Sequence, residues 1–179
     1  MVSVSLDLMD DLKREAITDS LSKLSNRRGF EEGAEAALQR SQSNGATSVL
    51  LLADLDRFKS INDLYGHATG DEVIRDFGRL IQALSDDSTI AGRIGGEEFA
   101  ILLPDTSSEA AQAFAESLRE QFHHTYLNSP KYTSSTPTTS IGLVASTQKT
   151  TLSLMLNQAD KALYSAKNKG RNRAKWYSE

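Results

Sequence analysis

Four carboxylates in two short stretches are the residues best able to do chemistry: Asp54 and Asp56 in "LLLADLDRFK", and Glu97 and Glu98 in "RIGGEEFAILLP". Asp54 closes an apolar run, where an unpaired charge would be costly to bury, so it should face a cleft, a partner or a metal. Asp56 follows two residues on, and in an extended chain the two share a face, as carboxylate pairs do when they hold a hard divalent cation through oxygen. A solvated strand end carries the same pattern, so a further acid group is needed to specify a metal. The turn at Gly95-Gly96 supplies one if that hairpin lies beside the strand ending in Asp54. Because successive strand residues point to opposite faces, Glu97 and Glu98 should not both meet Asp54, and one should serve another purpose. A hairpin tip kept soluble by charge is the competing account.

Two further groups of polar residues could act on a ligand. "DRFKSINDLYGHATGD", running from Asp56 to Asp71, reads as a connection dense in hydrogen-bonding groups, among them Lys59, Asn62 and Asp63. An Asn amide and an Asp carboxylate together can satisfy the donor and acceptor edge of a guanine, and a lysine can meet a phosphate. In "ALYSAKNKGRN", Lys167 and Arg171 are four apart and share a helix face only if the helix persists past Gly170. Cations at a helix C-terminus are also what the macrodipole favours.

The elements that position these residues follow from periodicity. Leu6, Met9, Leu12, Ala16 and Ile17 are spaced as a helix, and a second helix opens at the cap Asn26 and ends before Gly45. "TSVLLLAD" reads as a central strand buried on both faces. Thr69 and Glu72 form a capping box for a helix burying Val73, Ile74, Phe77, Leu80, Ile81 and Leu84. Strands flank Gly95-Gly96, where both central residues of a tight turn would take positive φ. Thr106 and Glu109 predict a second capping box, "TTSIGLVAS" another strand, Leu152 to Ala166 a long amphipathic helix, and "NRAKWY" a last strand at the sheet edge. The fold class is therefore α/β (α+β), with antiparallel pairing at least around the hairpin.

The chain has 179 residues, a net charge of −4 and no cysteine, which suits one domain and excludes disulfides and thiolate metal sites. The run Val49 to Ala53 is far short of the ~20 apolar residues of a membrane helix, and no signal peptide is legible, so the segment is expected to make no membrane contact. A nucleic-acid role through the basic cluster Lys167 to Lys175 fits poorly with the acidic total and the lack of interleaved aromatics. P-loop and dinucleotide glycine motifs are absent.

"DLDRFKSINDLYGHATGD", "RIGGEEF", "TTSIGLV", "ADKALYSAKNKGRN" and the N-terminal "LSNRRGF" resemble, in this order, the blocks of the GGDEF family of diguanylate cyclases, from about Asp19 to about Lys175. The resemblance implies a palm-like central sheet of about five mostly antiparallel strands flanked by helices, as in nucleotide cyclases. It implies condensation of two GTP molecules into cyclic di-GMP with release of pyrophosphate, in a homodimer. Two Mg2+ ions per site would be held by Asp54, Glu97 and the carbonyl of Leu55, and Mn2+ could replace them. Glu98 would sit by the ribose and attacking hydroxyl. Asn62 and Asp71 would read guanine, while Phe58 through its backbone, Lys59, Lys167 and Arg171 would hold the triphosphate; the catalytic set is then Glu97, Glu98, Asp54 and Lys59.

Residues 1–18 would be the remnant of a helical connector from an upstream sensor or receiver domain, and 19–179 the cyclase domain, placed in the cytoplasm. Two departures stand out. An R-x-x-D inhibitory motif, found in many members, falls here on Asp86 and Thr89 without its arginine, which predicts no tight product inhibition through that site. Ser22 and Lys23 stand where the family has Thr-Gly, which predicts altered local geometry without loss of activity. The rival reading is a catalytically silent module that binds GTP or cyclic di-GMP; the intact carboxylates argue against it.

Overall fold

The computed structural model describes residues 2–179, with side chains from Leu6 onward. Every residue of strand β1 (Val49–Leu55) is buried, and β1 is the middle strand of a five-stranded sheet. Its neighbours are β3 (Glu98–Leu103) and β4 (Thr139–Ala145), both antiparallel. Outside them lie β2 (Ile90–Arg93), antiparallel to β3, and β5 (Ala174–Trp176), parallel to β4. The order β2-β3-β1-β4-β5 places the "NRAKWY" strand at the edge, as its sequence predicts.

The period of two in β1 divides the core into two layers. Val49, Leu51, Ala53 and Leu55 pack with residues of α3 (Phe58–Tyr65), α4 (His67–Leu84) and α5 (Ser108–Leu127). Phe77 of α4 meets Phe99 of β3 and Phe122 of α5 edge to face, each at 4.8 Å between ring centroids. Leu50 and Leu52 face the other way, toward α2 (Arg27–Ser43) and α6 (Leu152–Asn168). A strand covered on both faces needs no polar alternation, which is why its sequence is nearly all apolar.

Several local expectations are corrected. α4 begins at His67, so Thr69 is a buried residue of its first turn and makes no capping box with Glu72. The stretch read as a connection contains a whole helix, α3, too short for a periodic signal. α5 is capped by Ser107, whose hydroxyl accepts from Ala110 N at 3.1 Å, one residue later than the Thr106 box. Neither Gly95 nor Gly96 has positive φ: the turn runs through Ile94, Gly95, Gly96 and Glu97 and is closed by Ile94 N donating to Glu98 O at 2.9 Å. The Asn26 cap holds, accepting from Gly29 N. Lys23 takes φ 65°, a left-handed conformation that costs a lysine backbone strain.

The first helix, α1 (Val2–Ile17), exposes Leu6, Leu8, Met9 and Leu12. No helix among the described residues is long and apolar enough to cross a membrane.

Helix α6 lies against the sheet at Gly142 of β4. A Cβ there would collide with the carbonyl oxygen of Ala159 and the amide nitrogen of Leu163, so only glycine allows the helix to come this close. A Gly142→Ala variant should therefore lose about 1–3 kcal/mol, measured from urea midpoints at constant slope. At Gly96 no atom stands within 4 Å of an added Cβ, so Gly96→Ala should stay within about 0.5 kcal/mol of the parent protein.

Candidate active site

The C-terminal end of β1 gathers the chemistry. Asp54 is 5% exposed although it is ionisable, and its Oδ2 lies 2.9 Å from Lys167 Nζ on the last turn of α6. The close seat of α6 on Gly142 brings that lysine over the strand end. Burial pushes the Asp54 carboxyl up to about 6; Lys167 opposes the shift, while Glu97 and Glu98 add to it. Both glutamates are thus close enough to repel Asp54.

Their placement resolves the alternation argument. Glu98 is the first residue of β3 and the register partner of Asp54, so the two side chains share a sheet face. Glu97 lies in the turn, outside the strand, and the period of two does not govern it. Its carbonyl accepts from Leu55 N at 3.1 Å, which ties the turn to the strand end.

Asp56 is not brought into this group. Its carboxylate accepts from Thr138 Oγ1 at 2.8 Å, Ser140 Oγ at 2.6 Å and Asn172 N at 3.0 Å, so it joins β1 to β4 and to the segment after α6. The two carboxylates of the D-x-D pair thus have different partners, Lys167 for Asp54 and the hydroxyls and amide of β4 and the later segment for Asp56.

Of the guanine-reading candidates, Asn62 lies where α3 packs against Gly70 of α4. A Cβ on Gly70 would strike Asn62 Oδ1 and come within 3.2 Å of Phe58, so glycine at this position lets the Asn62 amide lie against α4, beside Asp71. Asp71 and Lys59 are exposed and Phe58 is buried. Lys167 and Arg171 do not share a helix face, because α6 ends at Asn168 and Arg171 has φ 63°. Arg171 instead lines a cleft of about 300 Å3 with Asp56, Arg57 and the 133–138 loop.

Two residues of the site are not legible from local sequence. Arg93 donates from Nε and Nη2 to the carbonyl of Gly96, at 3.1 and 2.8 Å, and from Nη1 to Asp19 Oδ1 at 3.3 Å. Arg27 donates to the carbonyl of Ile94 at 3.1 Å. The turn that carries Glu97 is therefore held from the segment joining α1 to α2. Asp19 and Arg93 stand 74 residues apart, and the only sequence signal is an arginine beside a glycine turn.

No group of three or more His, Cys, Asp or Glu is close enough to hold a metal among the described residues. The donor set nonetheless suits Mg2+, which is commonly bound by one or two carboxylates with substrate phosphates and waters completing its shell. Asp54 and Glu97, with the Leu55 carbonyl, would be such a set, and the Lys167 ammonium 2.9 Å from Asp54 shows a cation already held at that carboxylate.

Comparisons with known proteins bear on the family and the fold. The family model described as "Diguanylate cyclase, GGDEF domain" matches residues 16–173. The diguanylate cyclase VdcA of Vibrio cholerae is 37% identical over 164 residues, covering 90% of this chain and 47% of the relative. DgcM of Escherichia coli K12, also named a diguanylate cyclase, is 36% identical, over 93% of this chain and 40% of its own length. The chain thus spans less than half the length of these relatives. Among solved structures, the coiled coil and GGDEF domain of DgcB from Caulobacter crescentus in complex with c-di-GMP superposes with a TM-score of 0.90 at 29% identity, covering 98% of this chain and 93% of that one. The active GGEEF domain of a diguanylate cyclase from Vibrio cholerae gives 0.77 at 32% identity, over 87% and 99%. A palm-like sheet with a carboxylate-bearing hairpin beside its central strand is the nucleotide-cyclase type of fold. The chain belongs to the GGDEF diguanylate cyclase family.

Two predictions follow from the geometry. The folded protein holds the Asp54 proton more tightly than the unfolded chain, whose carboxyl is at 3.8. Acidification from neutral pH through about 6 should therefore stabilise the metal-free protein relative to Asp54→Asn, and the advantage should stop growing below 3.8, as read by melting in EDTA. Replacing Arg93 by Met should speed hydrogen exchange at the Ile94 and Gly95 amides about tenfold, since both bond within the turn that Arg93 clamps. Unchanged exchange there would remove the clamp.

Proposed function

We propose that the chain condenses two GTP molecules into cyclic di-GMP and two pyrophosphates, as a nucleotidyltransferase that works only when two copies face each other. The observation that carries the reading is a carboxylate buried at the tip of β1, adjoined by the glutamate-bearing turn, in a chain whose relatives are named diguanylate cyclases. The solved neighbour in complex with c-di-GMP supports the choice of product.

In this reading Asn62 and Asp71 hydrogen-bond the guanine edge, and the amide of Phe58 with Lys59, Lys167 and Arg171 hold the triphosphate. Asp54, Glu97 and the Leu55 carbonyl hold two divalent cations, Mg2+ or Mn2+. When bound, these would lower the pKa of the attacking 3′-hydroxyl and neutralise the leaving pyrophosphate. Glu98 orients the ribose hydroxyl of the same nucleotide. Each 3′-oxygen forms a bond to the α-phosphorus held by the opposite copy as the bond from that phosphorus to the α,β-bridging oxygen breaks; the hydroxyl proton passes to solvent water and pyrophosphate leaves.

Because each copy supplies one nucleotide, two domains must meet, which assigns α1 a role as the end of a connector from an upstream sensor or receiver domain. GTP as substrate places the reaction in the cytoplasm. No nucleic acid and no membrane contact by this segment enters the reaction. The Asp86 carboxylate is already engaged by Ser88 and Thr89, in keeping with weak product binding where the arginine is missing.

The test is incubation with GTP and Mg2+, followed by nucleotide separation and pyrophosphate measurement. Specific activity should rise with protein concentration, and Glu97→Ala should lower turnover by at least about a hundredfold, as removal of a principal electrostatic group does. Nucleotide bound without pyrophosphate release would instead identify a silent module, and full turnover in Glu97→Ala would remove that residue from the reaction.

A further inference from the structure

Lys167 is the one cation that forms an ion pair with Asp54 among the described residues, and the pair is asymmetric: the Asp54 side chain is 7% exposed and that of Lys167 32%. Glu97 in the neighbouring turn and Glu98 at the start of β3 both act against the Asp54 charge. The Asp54 charge is therefore opposed by two acid groups and paired with one ammonium. Without it, Asp54 would be a buried charge with no compensation, a condition that strongly destabilises folded proteins. Yet an ammonium at 2.9 Å and a divalent cation compete for the same carboxylate charge, and their like charges repel. The helix need not move for them to exchange. α6 is locked to the sheet at Gly142, and the flexible four-carbon stem of lysine carries its charge to another partner by rotation alone.

We propose that Lys167 is the resident counter-cation of the metal site: it neutralises Asp54 in the metal-free protein, is displaced when a divalent cation arrives, and is thereby released toward the phosphates of the nucleotide. The inference rests on the metal and triphosphate assignments above and adds a coupling between them. Cation binding frees a phosphate donor, and a lysine engaged on phosphate clears the carboxylate, so each ligand strengthens the other through one side chain.

The experiment uses nucleotide-free protein, with Mn2+ as the probe read by its free-ion paramagnetic resonance signal, and melting in EDTA as a second readout. Lys167→Met keeps the length and removes the charge. It should bind Mn2+ roughly tenfold more tightly than the parent, within the range usual for coupled sites, and Asp54→Asn should abolish binding in both backgrounds. In EDTA, Lys167→Met should melt lower than the parent, but the same substitution in Asp54→Asn should cost nothing further. Equal Mn2+ affinity with and without Lys167, with Asp54→Asn still abolishing binding, would overturn the counter-cation role and leave the metal assignment standing. Mn2+ binding that survives Asp54→Asn would overturn both. If neither protein takes up Mn2+ without nucleotide, the melting cycle decides: an equal loss in the two backgrounds refutes the inference.

Discussion

A carboxylate buried at the end of an all-apolar strand is the constraint around which this fold is arranged. Asp54 can stay charged there only while a cation is held close, and the molecule provides Lys167 from α6. That provision depends on packing far from any charge. Gly142 lets α6 rest directly on β4, and the helix then delivers its last turn over the strand tip. The hydrophobic and electrostatic parts of the structure are therefore not separate: the layer formed by Leu50, Leu52, Ala159 and Leu163 sets the distance at which the ion pair closes.

The second half of the site is held by backbone carbonyls. Arg93 and Arg27 grip Gly96 and Ile94 of the turn, and Asp19 holds Arg93 from the segment just after α1. Arg93 and Asp19 are both mostly shielded, with side-chain exposures of 18% and 21%, so the pair is less screened than a surface bridge. The position of Glu97 is thereby referred to the end of α1. Any twist imposed on α1 by an attached domain would reach the turn through three bonds, which is a physical route for the control that such a connector is proposed to exert.

Legibility in the sequence followed the range of the interaction. β1 was readable because burial on both faces leaves an unbroken apolar run, and α2 because Asn26 caps it with its own side chain. Caps chosen from residue type alone missed, by three positions at α4 and by one at α5: Thr69 is inside α4, whose cap position is Gly66, and Ser107 rather than Thr106 accepts from a free amide of α5. Helix α3 was hidden because eight residues give barely two turns of pattern. The acid group at Asp54 was legible as a buried charge, but the separate fate of Asp56 was not, since it depends on hydroxyls of Thr138 and Ser140 more than eighty residues away. The Arg93 clamp was invisible for the same reason. The family blocks single out the candidate residues, and the long-range geometry decides what each of them touches.

The most direct measurement is a crystal structure with a non-hydrolysable GTP analogue and Mn2+, using anomalous scattering to locate the metal. The account predicts a peak between Asp54 and Glu97, guanine against Asn62 and Asp71, and the Lys167 ammonium moved from Asp54 to a phosphate oxygen. Nucleotide bound with Lys167 still on Asp54, and no metal peak at the tip of β1, would contradict it.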